Sequence, residues 1–211
     1  MCGRFFIEPE GEDALLSMMI EEAARRQKAI VGQDTVARGE VRPADTAAAL
    51  AMGRSGQVGA FPMKWGFHRQ DGGLIINTRS ETALTLPLFR PSMLERRCLI
   101  PASWYYEWET VQLQPGAVAR DASGGLRRVR YAIRPASPGP IYLAGIYRYE
   151  EGSRLPVFSV LTRAPAPEIA FIHDRMPVIF SENARSLWLD PAADPAAALD
   201  ACEKAAAYQP A

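Results

Sequence analysis

Cysteine, histidine and net charge are all scarce in this chain of 211 residues. The sequence has three cysteines and two histidines, and its 24 Lys and Arg residues balance 24 Asp and Glu residues. Three cysteines without a C-x-x-C spacing indicate neither a disulfide framework nor a zinc site, so we expect no bound metal and no cofactor. A net charge of zero excludes a general polyanion-binding protein but is compatible with a local basic groove.

Long apolar runs are also missing. No run approaches the length of about 18 residues that indicates a transmembrane helix, and the N-terminus lacks the basic-then-apolar pattern of a signal peptide. We therefore expect a cytoplasmic protein without a membrane partner. The composition, 48% hydrophobic and 23% charged, is sufficient for one core, and we predict a single domain over residues 1–211 and a monomer.

Short strands separated by Pro, Gly and Ser dominate the pattern. Predicted strands cover residues 2–7, 46–52, 57–67, 74–77, 97–101, 104–110, 129–133, 141–147, 157–161 and 176–180. Predicted helices run from Asp13 to about Ile30, from a cap at Ser181 to about Leu189, and onward from an Asp194-Pro195 cap, whereas residues 111–125 are predicted to be a loop. Many strands with few helices predict an α+β fold, a largely antiparallel, barrel-like β-sheet with peripheral helices.

The N-terminal Met1-Cys2-Gly3-Arg4 has a chemistry of its own once Met1 is removed. Cys2 then carries a free α-amine, with a pKa of about 8 against about 10.4 for lysine, beside a thiol with a pKa of about 8.5. The amine can form an imine with an aldehyde, and the thiol can then close a five-membered thiazolidine ring. The alternative is that Cys2 is an ordinary second residue. A strand over residues 2–7 would hold the terminus inside the fold and favours the chemical interpretation.

A polar cluster stands at the end of the strand predicted over residues 74–77. Asn77 offers both a donor and an acceptor, and Arg79 offers a planar fork suited to phosphate oxygens. The alternative is that Asn77 satisfies turn backbone and that Arg79 pairs with Glu81.

Aromatic residues crowd the strand predicted over residues 104–110. Alternation places Trp104, Tyr106 and Trp108 on one face and Tyr105, Glu107 and Glu109 on the other. Among so many aromatic rings Glu107 would be poorly solvated, which suits a group that moves protons. An ordinary surface strand with a solvated glutamate is the alternative.

His173 and a set of scattered arginines complete the candidates. His173 lies between apolar residues ahead of a strand, where it is either a structural residue or an acid/base group. The arginines stand near Trp65, a mixture that suits phosphates and unstacked bases or else a solvated surface; they include Arg4, Arg79 and Arg90.

Several short motifs occur in an order that resembles the SRAP family, the SOS response-associated peptidases also known as abasic-site processing proteins. These motifs are Met-Cys-Gly-Arg at the terminus, Trp65-Gly66, Asn77-x-Arg79-x-Glu81-Thr82, Tyr106-Glu107-Trp108, Ala144-Gly145-Ile146-Tyr147 and His173-Asp174-Arg175-Met176-Pro177. The resemblance extends from Met1 to about Val178. Each motif alone is weak, but the ordered set is specific.

The resemblance implies that Cys2 attacks the ring-opened aldehyde of an abasic site in single-stranded DNA and forms a thiazolidine crosslink. Asn77 would orient the sugar or the amine, while Glu107 and His173 would act as acid/base groups. The DNA contacts implied or predicted are Arg4, Trp65, Arg79, Arg90 and Arg175. The family name also records a proposed autoproteolytic activity that exposes Cys2; with Met1 alone ahead of it, a methionine aminopeptidase could suffice.

Two other functions remain open from the sequence. A thiol peptidase would use Cys2 as nucleophile with His173 as base and Glu107 as orienting group. A non-catalytic single-stranded DNA-binding module would bind reversibly and in a salt-sensitive manner, without a heat-stable adduct.

Overall fold

The structure is a computed structural model that describes residues 2–8, 13–114, 117–118, 125, 127–136 and 139–211. The strands are β1 (Arg4–Ile7), β2 (Gly39–Val41), β3 (Thr46–Met52), β4 (Val58–Trp65), β5 (Phe67–His68), β6 (Leu74–Ile75), β7 (Asn77–Arg79), β8 (Arg97–Ala102), β9 (Trp104–Thr110), β10 (Gln112–Gln114), β11 (Ala117–Val118), β12 (Arg128–Arg134), β13 (Ile141–Arg148), β14 (Val157–Arg163), β15 (Met176–Pro177), β16 (Ile179–Phe180) and β17 (Ala207–Pro210). The helices are α1 (Ala14–Val31), α2 (Ser80–Ala83), α3 (Arg90–Glu95), α4 (Arg185–Leu189) and α5 (Pro195–Asp200).

A closed ring of five strands forms the centre of the fold. The strands β4, β3, β8, β13 and β14 pair in that order, and β14 returns to β4. All of these pairings are antiparallel except the last, where β14 runs parallel to β4 at Val157 and Phe158. The predicted α+β fold with a largely antiparallel, barrel-like sheet is therefore confirmed.

A second sheet of five strands holds the N-terminus. Its order is β17, β12, β9, β1 and β2, so β1 lies between β9 and β2. Phe5 and Ile7 of β1 are completely buried, and Phe5 pairs with Tyr105 of β9. Because two neighbouring strands bond to it, the start of the chain is fixed in the fold, as the sequence predicted.

The strand β7 brings a third segment to the same region. It runs parallel to β14, with Asn77 opposite Val160 and Arg79 opposite Thr162. On the other edge of β14, Thr162 also pairs with Pro177 of β15. The segments that carry Asn77 and His173 therefore approach the same end of one barrel strand.

The helix α1 covers strands β3 and β4 with an apolar stripe that includes Leu16, Met19 and Ile20. Asp13 caps it by accepting a hydrogen bond from the Leu16 N–H at 3.0 Å, and Gly32 ends it with a φ of 86°. Such a positive φ favours glycine, which has no Cβ to clash. The predicted helix is confirmed within one residue at each end.

Four features differ from the sequence-based expectations. Residues 111–125, predicted as a loop, contain the short strands β10 and β11, and part of that prediction lies outside the described residues. Val178 interrupts the strand predicted over residues 176–180, Gly66 the strand predicted over 57–67, and Ile76 the strand predicted over 74–77, so that Asn77 begins β7. Ser181 does not cap α4, which begins four residues later after Ala184. The elements β2, β17 and α3 were not predicted, because they are short and owe their structure to long-range contacts.

Candidate functional site

Cys2 is anchored from two directions. Its residue is fully buried, and the Nδ2 group of Asn77 donates a 2.8 Å hydrogen bond to its carbonyl oxygen. Its Sγ atom lies 3.8 Å from the carbonyl oxygen of Arg4, the residue that begins β1. The polar strand end at Asn77 and the N-terminal cysteine, 75 residues apart in sequence, therefore meet.

Glu107 shares this buried region. It lies in β9 and is only 4% exposed. Burial raises the pKa of the Cys2 thiol strongly, and the negative charge of Glu107 raises it further. The thiol is therefore protonated at neutral pH, and a carboxylate stands within electrostatic reach of it.

The predicted alternation along β9 is confirmed by the contacts of its aromatic rings. The rings of Trp104 and Tyr106 meet edge to face at 6.4 Å, and those of Tyr106 and Trp108 lie 6.4 Å apart, while Phe6 of β1 stacks on Trp104 at 4.6 Å. Tyr105 and Glu107 point to the other side of the strand, where both are buried.

Two arginines lie over aromatic rings of β9. The guanidinium of Arg4 lies 5.5 Å from the Trp108 ring centre, and that of Arg130 lies 4.6 Å from the Tyr106 ring centre. Both contacts are within the range of cation–π attraction. We call the side chains of Arg4, Phe6, Trp104, Tyr106, Trp108 and Arg130 the aromatic–arginine face.

One carboxylate, that of Glu40, forms ion pairs with three arginines at the edge of this face. Glu40 lies 2.6 Å from Arg4, 2.8 Å from Arg42 and 3.5 Å from Arg130. Burial acts to raise the pKa of Glu40, but hydrogen bonds from Arg42 and Arg4 outweigh it, and the net shift is downward. Glu40 is thus ionised at neutral pH, and three cations against one anion leave an excess of positive charge.

His173 enters through the loop before β15. Its Nδ1 atom accepts a 3.0 Å hydrogen bond from the Arg175 N–H. A carboxylate oxygen of Asp174 lies 2.7 Å from the same Nδ1 atom. These contacts with two neighbouring residues fix the orientation of the imidazole ring.

An ion pair ties the His173 loop to the Asn77 segment. Arg175 donates two parallel 2.8 Å hydrogen bonds to Glu81 of α2, which directly follows β7. It also donates a 2.6 Å hydrogen bond to the carbonyl oxygen of Thr162. The alternative pairing of Glu81 with Arg79 is therefore not the one observed, because Arg175 takes both oxygens.

The sequence of this chain matches the model of a known protein family. The model of the family described as SOS response associated peptidase, SRAP, matches residues 1–209. The chain belongs to the SRAP family. The resemblance inferred from the ordered motifs is thus confirmed, and the match extends beyond Val178.

Relatives of this SRAP protein are named abasic site processing proteins. The abasic site processing protein YoqW of Bacillus subtilis is 27% identical over 207 residues, which cover 90% of this chain and 81% of that protein. The abasic site processing protein YedK of Escherichia coli is 29% identical over 195 residues, with 90% and 79% covered.

Solved structures show the same fold. A phage-related protein from Bordetella bronchiseptica matches with a TM-score of 0.68 and 20% identity over 100% of this chain and 94% of that one. A protein from Bacteroides thetaiotaomicron matches with a TM-score of 0.69 and 20% identity over 99% and 91%. At this level of identity the similarity concerns the SRAP fold alone.

The residues predicted to contact DNA fall into four groups in this SRAP chain. Arg4 belongs to the aromatic–arginine face, whereas Arg79 and Arg90 are exposed and form no ion pair with any described residue. Arg175 is committed to Glu81, so its charge is already neutralised. Trp65 is completely buried, bonds the Ile76 carbonyl through Nε1 at 2.9 Å and packs on Phe5 and Phe158, so its predicted contact with DNA does not fit the structure.

Three residues of the site escaped the sequence-based reasoning. Arg42 and Arg130 join Arg4 around Glu40, a cluster that only the pairing of β1 with β2 and of β9 with β1 and β12 reveals. Tyr105 was given no role, although the predicted alternation along β9 had already placed it on the same face as Glu107.

Within the described part of the chain, no group of three or more His, Cys, Asp and Glu side chains is arranged to hold a metal ion. None of the described helices has the length and apolar content needed to cross a bilayer.

Proposed function

We propose that this protein processes abasic sites in single-stranded DNA by forming a thiazolidine crosslink through Cys2 after removal of Met1. The observation that carries the proposal is the fixed position of Cys2, bonded to Asn77 and within electrostatic reach of Glu107. Membership of the SRAP family and relatives named abasic site processing proteins support it. The activity is a covalent capture of damaged DNA, with DNA as the partner.

The reaction proceeds through an imine. The neutral α-amine of Cys2 adds to the aldehyde carbon C1′ and gives a carbinolamine, which takes up one proton and loses one water to form an iminium ion. The Sγ atom then adds to the same carbon, the thiol proton leaves, and the ring nitrogen becomes a neutral secondary amine. The product therefore weighs one water less than protein and DNA together.

The protonated state of the thiol sets the order of these steps. Because burial and Glu107 raise the thiol pKa, the thiol is a poor nucleophile at first and the amine attacks before it. The iminium ion then places a positive charge beside Sγ, which favours the thiolate. Glu107 accepts the thiol proton at this stage, and His173 serves as a second acid/base group for the sugar oxygens.

The aromatic–arginine face provides a path for the DNA strand. Its half-buried rings, those of Phe6, Trp104 and Trp108, offer stacking surfaces for unpaired bases. Arg4 and Arg130 offer charge for phosphates. Bases in a duplex are not available for such stacking. A single-stranded substrate therefore fits this face better than a double-stranded one.

An adduct assay tests the proposed function. Protein with a confirmed Cys2 terminus, incubated with a single-stranded oligonucleotide that bears one abasic site, should give a band that survives heat and denaturant. Intact mass spectrometry should find the sum of the two masses less one water. The same oligonucleotide annealed in a duplex is the control and should react poorly. Absence of the adduct from the single-stranded reaction would rule out the proposed function.

A substitution on the aromatic–arginine face tests the proposed path. Arg130→Gln is expected to weaken binding to a single-stranded oligonucleotide without a lesion and to reduce the slope of log Kd against log salt by about 0.7, the value for one phosphate contact. The measurement is fluorescence anisotropy at several salt concentrations. Arg54→Gln, at an exposed arginine in the turn between β3 and β4, is the matched control. Equal behaviour of the two variants would place the DNA elsewhere.

A further inference from the structure

A buried hydroxyl lies next to the site and has no assigned role. Tyr105 is completely buried, and its Oη atom has no hydrogen-bond partner among the described residues. Buried tyrosine hydroxyls usually find a partner, since an unsatisfied polar group lowers the stability of the fold. An unsatisfied hydroxyl retained beside a reactive group indicates a partner that arrives with the substrate.

Tyr105 lies on the strand face that adjoins the start of the chain. Tyr105 and Glu107 lie on the same face of β9, and the strand pairing sets Tyr105 opposite Phe5, three residues after Cys2. Burial first, and then electrostatic interaction with Cys2 and Glu107, raises the pKa of the Tyr105 hydroxyl well above its ordinary value. The hydroxyl therefore stays protonated at neutral pH and is close enough to sense both groups.

A second unsatisfied atom belongs to Asn77, which is bonded to Cys2. Asn77 donates through Nδ2 to the Cys2 carbonyl, which fixes the orientation of the amide. Its Oδ1 atom is buried and accepts no hydrogen bond from a described residue. The surroundings of Cys2 thus hold one hydroxyl that can donate and one carbonyl oxygen that can accept, a pair that matches a single alcohol group of a ligand.

We infer that Tyr105 and Asn77 bind the C4′ oxygen of the abasic deoxyribose and hold the sugar in its ring-opened form. The inference rests on the proposed function. When the closed sugar opens, the bond between C1′ and O4′ breaks, the C1′ hydroxyl loses its proton to become the aldehyde, and O4′ gains a proton. The new C4′ hydroxyl accepts a hydrogen bond from Tyr105 Oη and donates one to Asn77 Oδ1.

This arrangement favours capture because only the open form reacts. Once both hydrogen bonds engage the C4′ hydroxyl, its oxygen is held away from C1′ and does not close the ring again. Tyr105 neither gains nor loses a proton in the process, so the proton transfer stays with Glu107. A substrate that is already an open aldehyde and has no neighbouring hydroxyl cannot form the hydrogen bonds to Tyr105 and Asn77. Its reaction should therefore not depend on them.

The test compares Tyr105→Phe with the unchanged protein on two substrates. On a single-stranded oligonucleotide with one abasic deoxyribose, the single-turnover rate of adduct formation is expected to fall about tenfold or more. On an oligonucleotide that carries a simple alkyl aldehyde at the same position, the two rates should agree. Binding to an unreactive tetrahydrofuran analogue should be unchanged, and the melting temperature should not fall, because the substitution removes an unsatisfied group.

Tyr149→Phe is the matched control, since Tyr149 is 71% exposed and lies outside the site. The defect of Tyr105→Phe should have the same size from about pH 6 to about pH 9, because the hydroxyl stays protonated. Equal rates for the variant and the unchanged protein on the deoxyribose would overturn the inference, as would an equal loss on both aldehydes. If the unchanged protein forms no adduct at all, the proposed function itself fails.

Discussion

Capping the α-amine of Cys2, with its thiol left intact, is expected to abolish the heat-stable adduct with abasic DNA. N-terminal acetylation or an uncleaved Met1 removes the free α-amine of Cys2 that forms the imine, and the buried, protonated thiol alone forms no lasting bond with an aldehyde. The measurement is a denaturing gel of protein with a known N-terminal mass. Before capping, the rate of adduct formation should rise with pH until the amine is neutral, near about pH 8.

The complementary substitution keeps the amine and removes the thiol. Cys2→Ala should form an imine that borohydride reduction traps, but should leave no heat-stable adduct when borohydride is omitted. Cys202→Ala is the matched control because it removes another buried thiol and should leave the adduct unchanged. Peptidase activity in the amine-capped protein would contradict the proposed chemistry and favour the thiol peptidase. Reversible, salt-sensitive binding with no trapped imine would favour a non-catalytic module.

The raised pKa of the Cys2 thiol favours the proposed thiazolidine over a thiol peptidase. A thiol peptidase needs a thiolate at neutral pH, which a neighbouring cation or an exposed electropositive setting usually provides. Here burial and a carboxylate act in the opposite direction. A thiazolidine does not require an initial thiolate, because the amine reacts first and its iminium ion then assists the sulfur.

Local patterns were sufficient to predict the elements that carry the site. Alternation along residues 104–110 predicted both faces of β9. The change from apolar to polar residues at Asn77 marked it as a candidate site residue, and in the structure it bonds Cys2. The same signals predicted the anchored terminus in β1. These predictions succeed because side-chain direction in a strand follows from its period of two.

Long-range partners could not be predicted in the same way. Trp65 looked available for DNA, but β4 directs it into the core against Phe158. Arg175 looked free for phosphates, but its partner Glu81 is 94 residues away. Alternation and composition describe one segment at a time, whereas these pairings depend on which segments the barrel brings together.

Another long-range contact outside the site gives the largest expected effect on stability. Arg97 at the start of β8 is only 6% exposed, and its guanidinium donates to five backbone carbonyl groups. The acceptors are Met93 at 3.0 Å, Leu94 at 3.3 Å, Trp188 at 2.8 Å, Ala193 at 3.2 Å, and Asp190. One side chain therefore joins the end of α3 to α4 and to the segment before α5.

Arg97→Met is expected to lower the free energy of unfolding by about 3 to 5 kcal/mol, since it leaves several buried carbonyl groups without a donor. Arg97→Lys should recover only part of this, because an ammonium group has three donors and no planar fork. The measurement is urea unfolding with linear extrapolation.

The neighbouring arginine gives the control for this substitution. Arg96 forms an ion pair with Glu95 at 3.1 Å, and the Glu95 side chain is 69% exposed. Arg96→Met should therefore cost less than about 1 kcal/mol, as exposed pairs usually do. If Arg97→Met costs no more than Arg96→Met, the five hydrogen bonds do not hold α3 and α4 together. If Arg97→Lys equals the unchanged protein, charge rather than the shape of the guanidinium is what matters.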